Sequence, residues 1–194
     1  MRLFVALAIP TEVREKIAAL IRELRGVDAN PKWINPENLH VTLKFIGEVA
    51  PEKAVEIGDV LATIHTEQEA AIEFGDVGFF PDARRPSVAW VGIQAPQILS
   101  FLAAEVNRVL APLGIPREEK PFVPHLTIAR FKETRLSAQL RAKIEKQKSR
   151  KFGTLATGEF HLIESKRKSA GAEYTTLRSF RFAPEESKGS RPCT

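Results

Sequence analysis

The chain of 194 residues is poor in the residues that staple or ligate small folds. It has a single cysteine, Cys193, next to the last residue, and only four histidines. One thiol in a polar tail excludes a disulfide framework and a thiolate metal cluster, so zinc-finger and iron–sulfur readings fall away. Long apolar runs are lacking too: none approaches the ~18 residues that a membrane span needs. No basic leader or cleavage site precedes the strand-like segment after Met1, so a cytoplasmic protein is expected. Charge of one sign is scarce overall, since 29 Lys and Arg face 24 Asp and Glu and leave a net +5. That balance is compatible with an anionic partner without demanding one. What is present, 43% hydrophobic and 27% charged residues, is the composition of a soluble folded chain rather than a disordered or collagen-like one. The length suits one domain of ordinary size or two small lobes sharing an interface.

The positive charge is patchy. Arg141, Lys143, Lys146, Lys148, Arg150 and Lys151 stand against Glu145 alone. A solvated helix face and its exit is the plainer reading of that segment, and a nucleic-acid footprint is the other.

Along the chain, Arg2 to Ile9 reads as a buried strand, with Pro10-Thr11 signalling a turn and a helix start. Val13, Ile17, Leu20, Ile21 and Leu24 then line one helical face, and Gly26 offers a stop. After a loop holding Pro31 and Pro36, Leu39 to Ile46 alternates: Leu39, Val41, Leu43 and Phe45 on one face, His40, Thr42 and Lys44 on the other. A shift of 85 residues lays His40 on His125, Thr42 on Thr127 and Pro36 on Pro121. The same shift lays Val13, Ile17, Ile21 and Leu24 on Ile98, Leu102, Val106 and Val109, and Phe4 to Ile9 on Ala89 to Gln94. Strand, helix and histidine strand thus occur twice in order, which predicts two pseudo-symmetric half-units with equivalent strands on opposite sides of a shared groove. Helices are predicted over 51–64 and 137–147, and strands over 71–80, 155–164 and 174–182, the last two joined by a turn at Ser169-Ala170-Gly171. Only FFPDARRP separates the halves, so one rigid two-lobed domain is expected over 1–184. The polar residues 185–194 form a tail that frays.

Two of the four histidines read His-hydrophobic-Thr-hydrophobic: His40-Val41-Thr42-Leu43 and His125-Leu126-Thr127-Ile128. With 11 threonines in the chain, chance produces such a pair roughly 2% of the time. Residues i and i+2 of a strand share a face, so each copy presents an imidazole beside a hydroxyl. Two imidazoles of ordinary pKa near 6.5 can divide labour at neutral pH, one accepting a proton and the other donating one. Such a pair suits in-line displacement at phosphorus, with nucleophile and leaving oxygen on opposite sides and the threonine hydroxyls on the equatorial oxygens. A cation should neutralise those oxygens. Lys44, on the histidine face, and Arg130, at the end of the second strand, are the candidates. By strict alternation Arg130 points away from His125, so its use requires the strand to end, bulge or twist there.

Other readings of these residues exist. A zinc site wants a third protein ligand, and no acid or thiol recurs at matching spacing. His65 and His161 lack a threonine companion and read as structural. Trp33 and Phe79 could stack on a base, although a lone aromatic among apolar neighbours is more often packing.

The segments RLFVALAIP, WINPENLHVTLKFIGEV, GFFPDARRPSVAWVGI, PFVPHLTIARF and FHLIESKRKSAGAEYTTLRSFRF together cover nearly the whole chain. In these the sequence resembles the RNA 2′,3′-cyclic phosphodiesterase family, also called 2′-5′ RNA ligases, among the two-histidine phosphoesterases. The resemblance implies an α+β fold of two pseudo-symmetric lobes, with antiparallel sheets facing a central cleft and helices outside. It implies opening of a terminal 2′,3′-cyclic phosphate on RNA to a 2′-phosphate, with His40 protonating the departing O3′ and His125 activating water. Thr42 and Thr127 would contact the phosphate, joined by Arg130, and no metal or other cofactor is called for. Members can also join such an end to a 5′-hydroxyl in a 2′-5′ ligation, whose reversal uses the same histidines in exchanged roles. The expectation is a monomer acting on RNA ends, with hydrolysis of small cyclic nucleotides or 2′,5′-oligonucleotides, or RNA binding without catalysis, as the alternatives.

Overall fold

The structure is a computed structural model and describes residues 1–65, 70–95, 97–132, 136–169 and 171–181. The tail expected over 185–194, with Cys193, and Ala170 of the expected turn lie outside the described residues. The elements run β1 (Arg2–Ala8), α1 (Thr11–Val27), β2 (Lys32–Trp33), a 3-10 turn (Pro36–Asn38), β3 (His40–Glu48), α2 (Pro51–Leu61), β4 (Ala70–Phe80) and β5 (Val88–Gln94). They continue with α3 (Ile98–Leu110), a second 3-10 turn (Ala111–Leu113), β6 (His125–Arg130), α4 (Ala138–Glu145), β7 (Lys151–Thr157), β8 (Glu159–Lys168) and β9 (Gly171–Arg181). The helices begin where the chain offers starts. Pro51 stands in the first turn of α2, where its missing N–H is no loss. The Ser137 hydroxyl accepts from the Leu140 amide at 3.2 Å to cap α4.

The strands form two sheets, ordered β3-β1-β8-β9 and β2-β6-β5-β4-β7, with every pair antiparallel. The duplication is visible in the order: β1 and β3 of one sheet answer to β5 and β6 of the other. The third places are exchanged, since β8 from the second half completes the first sheet and β4 from the first half completes the second. Neither half of the sequence closes a sheet alone. The helices lie outside, α3 against β3 with α2 beside it, and α1 against β7 with α4 beside it. Val13, Ile17, Leu20, Ile21 and Leu24 of α1 and Leu99, Leu102, Val106 and Leu110 of α3 are buried in one continuous core. Burying a side chain of this size stabilises by about 1.5–3 kcal/mol.

Three departures from the sequence reading matter. The expected strand 155–164 is two strands. The chain leaves the five-stranded sheet after Thr157 and enters the four-stranded one at Glu159, because β7 pairs with β4 and β8 with β1. The first strands are displaced by one residue from the 85-residue repeat: Ala8 pairs with His40 while Gly92 pairs with His125.

The third departure is a pair of bulges. In β3, Ala6 pairs with Thr42 and Val5 with Lys44, so Leu43 is an extra residue. In β6, Trp90 pairs with Thr127 and Ala89 with Ala129, so Ile128 is the extra residue. Leu43 and Ile128 are equivalents in the repeat, and each bulge reverses the side-chain alternation beyond it. Lys44, expected beside His40, turns to the face of Val5 and is only 2% exposed. Phe45, expected in the core, shares a face with Phe4 and is 54% exposed. In β6 the same reversal buries Ala129 and exposes Arg130 on the histidine side.

Candidate active site

His40 and His125 are the first residues of β3 and β6. Each ring is held by its own chain two residues back. His40 Nδ1 lies 2.7 Å from the Asn38 carbonyl oxygen and His125 Nδ1 lies 2.8 Å from that of Val123. A carbonyl only accepts, so Nδ1 carries the hydrogen in both rings, and Nε2 is left as the working nitrogen. The duplication therefore repeats not only the residues but the hydrogen bond that sets their tautomer. The Asn38 side chain in turn donates to the Ala172 carbonyl at 2.7 Å, tying the first motif to β9.

Aromatic rings fix the orientation of the imidazoles. His40 packs on Phe4 with centroids 4.7 Å apart and meets Tyr174 edge-on at 5.3 Å. His125 meets Phe80 edge-on at 5.0 Å, and Phe80 packs on Trp90 at 5.3 Å. Trp90 lies against Gly78, where an added Cβ would collide with the indole ring. Only glycine admits an aromatic floor there.

Both histidines, Thr42, Thr127 and Arg130 line one cavity of about 1020 Å³ between the sheets, at the upper end of ordinary small-molecule sites. Burial pushes the His40 pKa below the usual 6.5, the Asn38 hydrogen bond opposes this, and the Arg130 charge adds to it. Burial likewise raises Tyr174 above the usual phenol range, with Arg130 and Arg2 pulling it down. Arg130, carried by the second motif, thus acts electrostatically on His40 of the first motif and on Tyr174 of β9. The bulge at Ile128 supplies the twist its use required.

Lys44 is placed differently. Its ammonium donates to Asn107 Oδ1 and to the Pro116 carbonyl, both at 2.7 Å. Burial lowers its pKa, with the Glu118 charge opposing. It borders the cavity with its charge already bound to α3 and the following loop. Trp33 donates from Nε1 to the Asp28 carbonyl at 3.0 Å and Phe79 packs on Phe131, and neither lines the cavity. His65 is exposed and outside it. His161 Nδ1 lies 2.9 Å from Ser179 Oγ, also outside the cavity lining. In the basic segment, Lys148 pairs with Glu145, Arg150 with Glu23 and Lys151 with Glu73, and none of its residues reaches the cleft. The solvated-face reading of that segment fits these contacts.

Sequence reasoning missed Asn38, Phe80 and Tyr174. Asn38 follows from the motif itself, because a histidine opening a strand can bond the carbonyl two residues back. Tyr174 comes from the distant β9 and carries no local signal. Among the described residues no three His, Cys, Asp or Glu side chains gather as a metal would need, and no described helix is long and apolar enough to cross a membrane.

An imidazole and a hydroxyl on either side of one cleft, in a pseudo-twofold α+β chain, are the arrangement of the two-histidine phosphoesterases. The chain belongs to the 2′-5′ RNA ligase superfamily, whose family model matches residues 13–169. It is 38% identical over 180 residues to an RNA 2′,3′-cyclic phosphodiesterase of Archaeoglobus fulgidus, covering 93% of this chain and 99% of that protein. Among solved structures, it matches E. coli LigT complexed with 3′-AMP at a TM-score of 0.77 and 26% identity, covering 94% of this chain and 98% of the other. A protein of Thermus thermophilus matches at a TM-score of 0.76 and 28% identity, with 95% and 100% covered.

Proposed function

We propose that the protein is an RNA 2′,3′-cyclic phosphodiesterase that opens the terminal ring to a 2′-phosphate by acid–base catalysis without a metal. The observation that carries this is the repeated Nδ1–carbonyl hydrogen bond, which leaves two Nε2 atoms, one from each sheet, to serve one cavity. His125 Nε2 takes the proton of a water as its oxygen bonds to phosphorus. The P–O3′ bond breaks, and His40 Nε2–H gives its proton to O3′, leaving a free 3′-hydroxyl and the phosphate on O2′. Thr42, Thr127 and Arg130 hold the non-bridging oxygens on which charge builds.

Burial lowers the pKa of His40, which makes its imidazolium a readier proton donor. The anionic ring phosphate raises that pKa on arrival, because an opposite charge nearby favours the charged form. A 5′-hydroxyl in place of water would yield a 2′-5′ linkage by the same transfers.

Both motifs come from one chain, which supports action as a monomer, and the exchanged strands support a single bilobal domain over 1–184. An RNA substrate supports a cytoplasmic setting. The test is incubation with an oligoribonucleotide ending in a 2′,3′-cyclic phosphate, in excess EDTA, with the product read by ³¹P NMR. A 2′-phosphate is expected; a 3′-phosphate, or activity only with added divalent metal, contradicts the proposal.

A further inference from the structure

Each catalytic histidine is held by the carbonyl two residues back, but the two residues that supply those carbonyls differ in what their side chains can do. Asn38 ends the 3-10 turn Pro36–Asn38. Within that turn Asn35 Oδ1 accepts from the Glu37 amide at 3.2 Å, and Glu37 meets Arg14 of α1 at 3.3 Å. The Asn38 side-chain amide then crosses to the Ala172 carbonyl at 2.7 Å, 134 residues away. A carbonyl only accepts, so the amide nitrogen is the end that faces β9. β3, which the turn feeds, and β9 are the two outermost strands of their sheet. The bond therefore joins one margin of the sheet to the other and draws it closed over its His40 end. Phe4, His40 and Tyr174 pack on one another inside that closure. In the second motif Val123 stands at the place of Asn38; its side chain has no donor and is 53% exposed. The difference suits the division of labour. A base takes its proton from a water that can shift to meet it, whereas an acid must meet an oxygen fixed in the ribose.

We infer that Asn38 is a positioning residue for the acid: its side-chain bond to β9 holds the carbonyl that aims His40 Nε2 at the departing oxygen. It acts through the His40 ring and not on the substrate. The inference rests on the phosphodiesterase reading and adds a residue to it.

The test uses Asn38→Leu, which keeps the size of the side chain and removes its donor, on two substrates. One is an oligoribonucleotide ending in a 2′,3′-cyclic phosphate, and the other is the same end with sulfur in place of the bridging O3′. A thiolate departs without a proton, so its release needs no acid. In Asn38→Leu, kcat on the oxygen substrate falls about 10- to 100-fold, as a small misplacement of a catalytic group should cost, while kcat on the sulfur substrate stays near wild type. Asn38→Gln, which keeps an amide donor, recovers most of the loss. Asn38 also borders the cavity, and a direct contact with the substrate would lower turnover of both. ¹⁵N NMR of the free protein supplies a readout independent of turnover. Above its pKa, neutral His40 carries its hydrogen on Nδ1 in the wild type and divides it between the two nitrogens in Asn38→Leu, with His125 unchanged. A single Nδ1–H tautomer in both proteins, or equal loss on both substrates, overturns the inference. A wild-type protein that opens neither substrate would instead overturn the phosphodiesterase reading, and the tautomer of His40 would still decide the role of Asn38.

Discussion

Replacing Lys44 by Met separates two roles for a lysine in a cleft wall, ligand to the phosphate and internal tie. The ammonium donates to Asn107 Oδ1 and the Pro116 carbonyl at 2.7 Å, joining β3 to α3 and to the loop that leads to the second motif. Met keeps the length and apolar stem but removes the donor. Asn107 Oδ1 retains the Glu118 amide at 3.1 Å, whereas the Pro116 carbonyl loses its side-chain donor. Pro116 is exposed, so water can meet its freed carbonyl, and the loss is that of the hydrogen bonds from a charged donor, about 1.5–3 kcal/mol each. Against this, the buried charge no longer has to be desolvated, which offsets part of the loss. The net expectation is destabilisation of about 1–3 kcal/mol, or roughly 2–12 °C in Tm for a chain of this size. Urea midpoints and thermal scans measure it, with turnover of a cyclic phosphate assayed well below the transition. Turnover near wild type is expected there. Wild-type stability together with a loss of kcat of about 10²-fold or more would show that the ammonium acts on the phosphate, as oxyanion donors do, and would refute the tie.

The His40 ring should titrate below 6.5 by NMR in the free protein, because burial and Arg130 both disfavour its charge, and the value should rise when inorganic phosphate binds; an upward-shifted free value contradicts the burial argument. Since the acid must be protonated, kcat/KM falls as pH rises past that lowered pKa, placing the optimum on the acid side of neutrality. Arg130→Gln removes one cause of the lowering, so the pKa of His40 rises, while turnover drops about 10- to 10³-fold from loss of charge stabilisation. Gly78→Ala drives a methyl group into the Trp90 ring and should destabilise by about 1–3 kcal/mol, seen as a lower urea midpoint; an unchanged midpoint would mean that Trp90 is free to move.

Much of the site was legible because a strand encodes its faces in a period of two. His40 and Thr42, like His125 and Thr127, needed only that rule and the repeat. Lys44, Phe45 and Arg130 lie beyond the bulges, and there the period inverts. A bulge is set by the pairing of β3 with β1 and of β6 with β5, contacts distant in the chain, so no local pattern revealed it. For the same reason the residue chosen on the histidine face, Lys44, is buried with its ammonium tied to Asn107 and Pro116, and the residue assigned to the core, Phe45, is exposed in the cleft wall. The split of 155–164 into β7 and β8 was hidden likewise. Both pieces are apolar enough for a strand, and the one local mark of the break is Gly158 between them. The helices α1 and α3 were readable because their buried faces recur at helical spacing whatever they pack against.

The most direct test of the central claim, two imidazoles acting on one phosphorus, is single-turnover opening of an RNA 2′,3′-cyclic phosphate by His40→Ala and by His125→Ala, with RNA binding measured alongside. Each variant should lose about 10²- to 10⁴-fold in rate, with the RNA still bound. A rate near wild type in either variant would contradict the account.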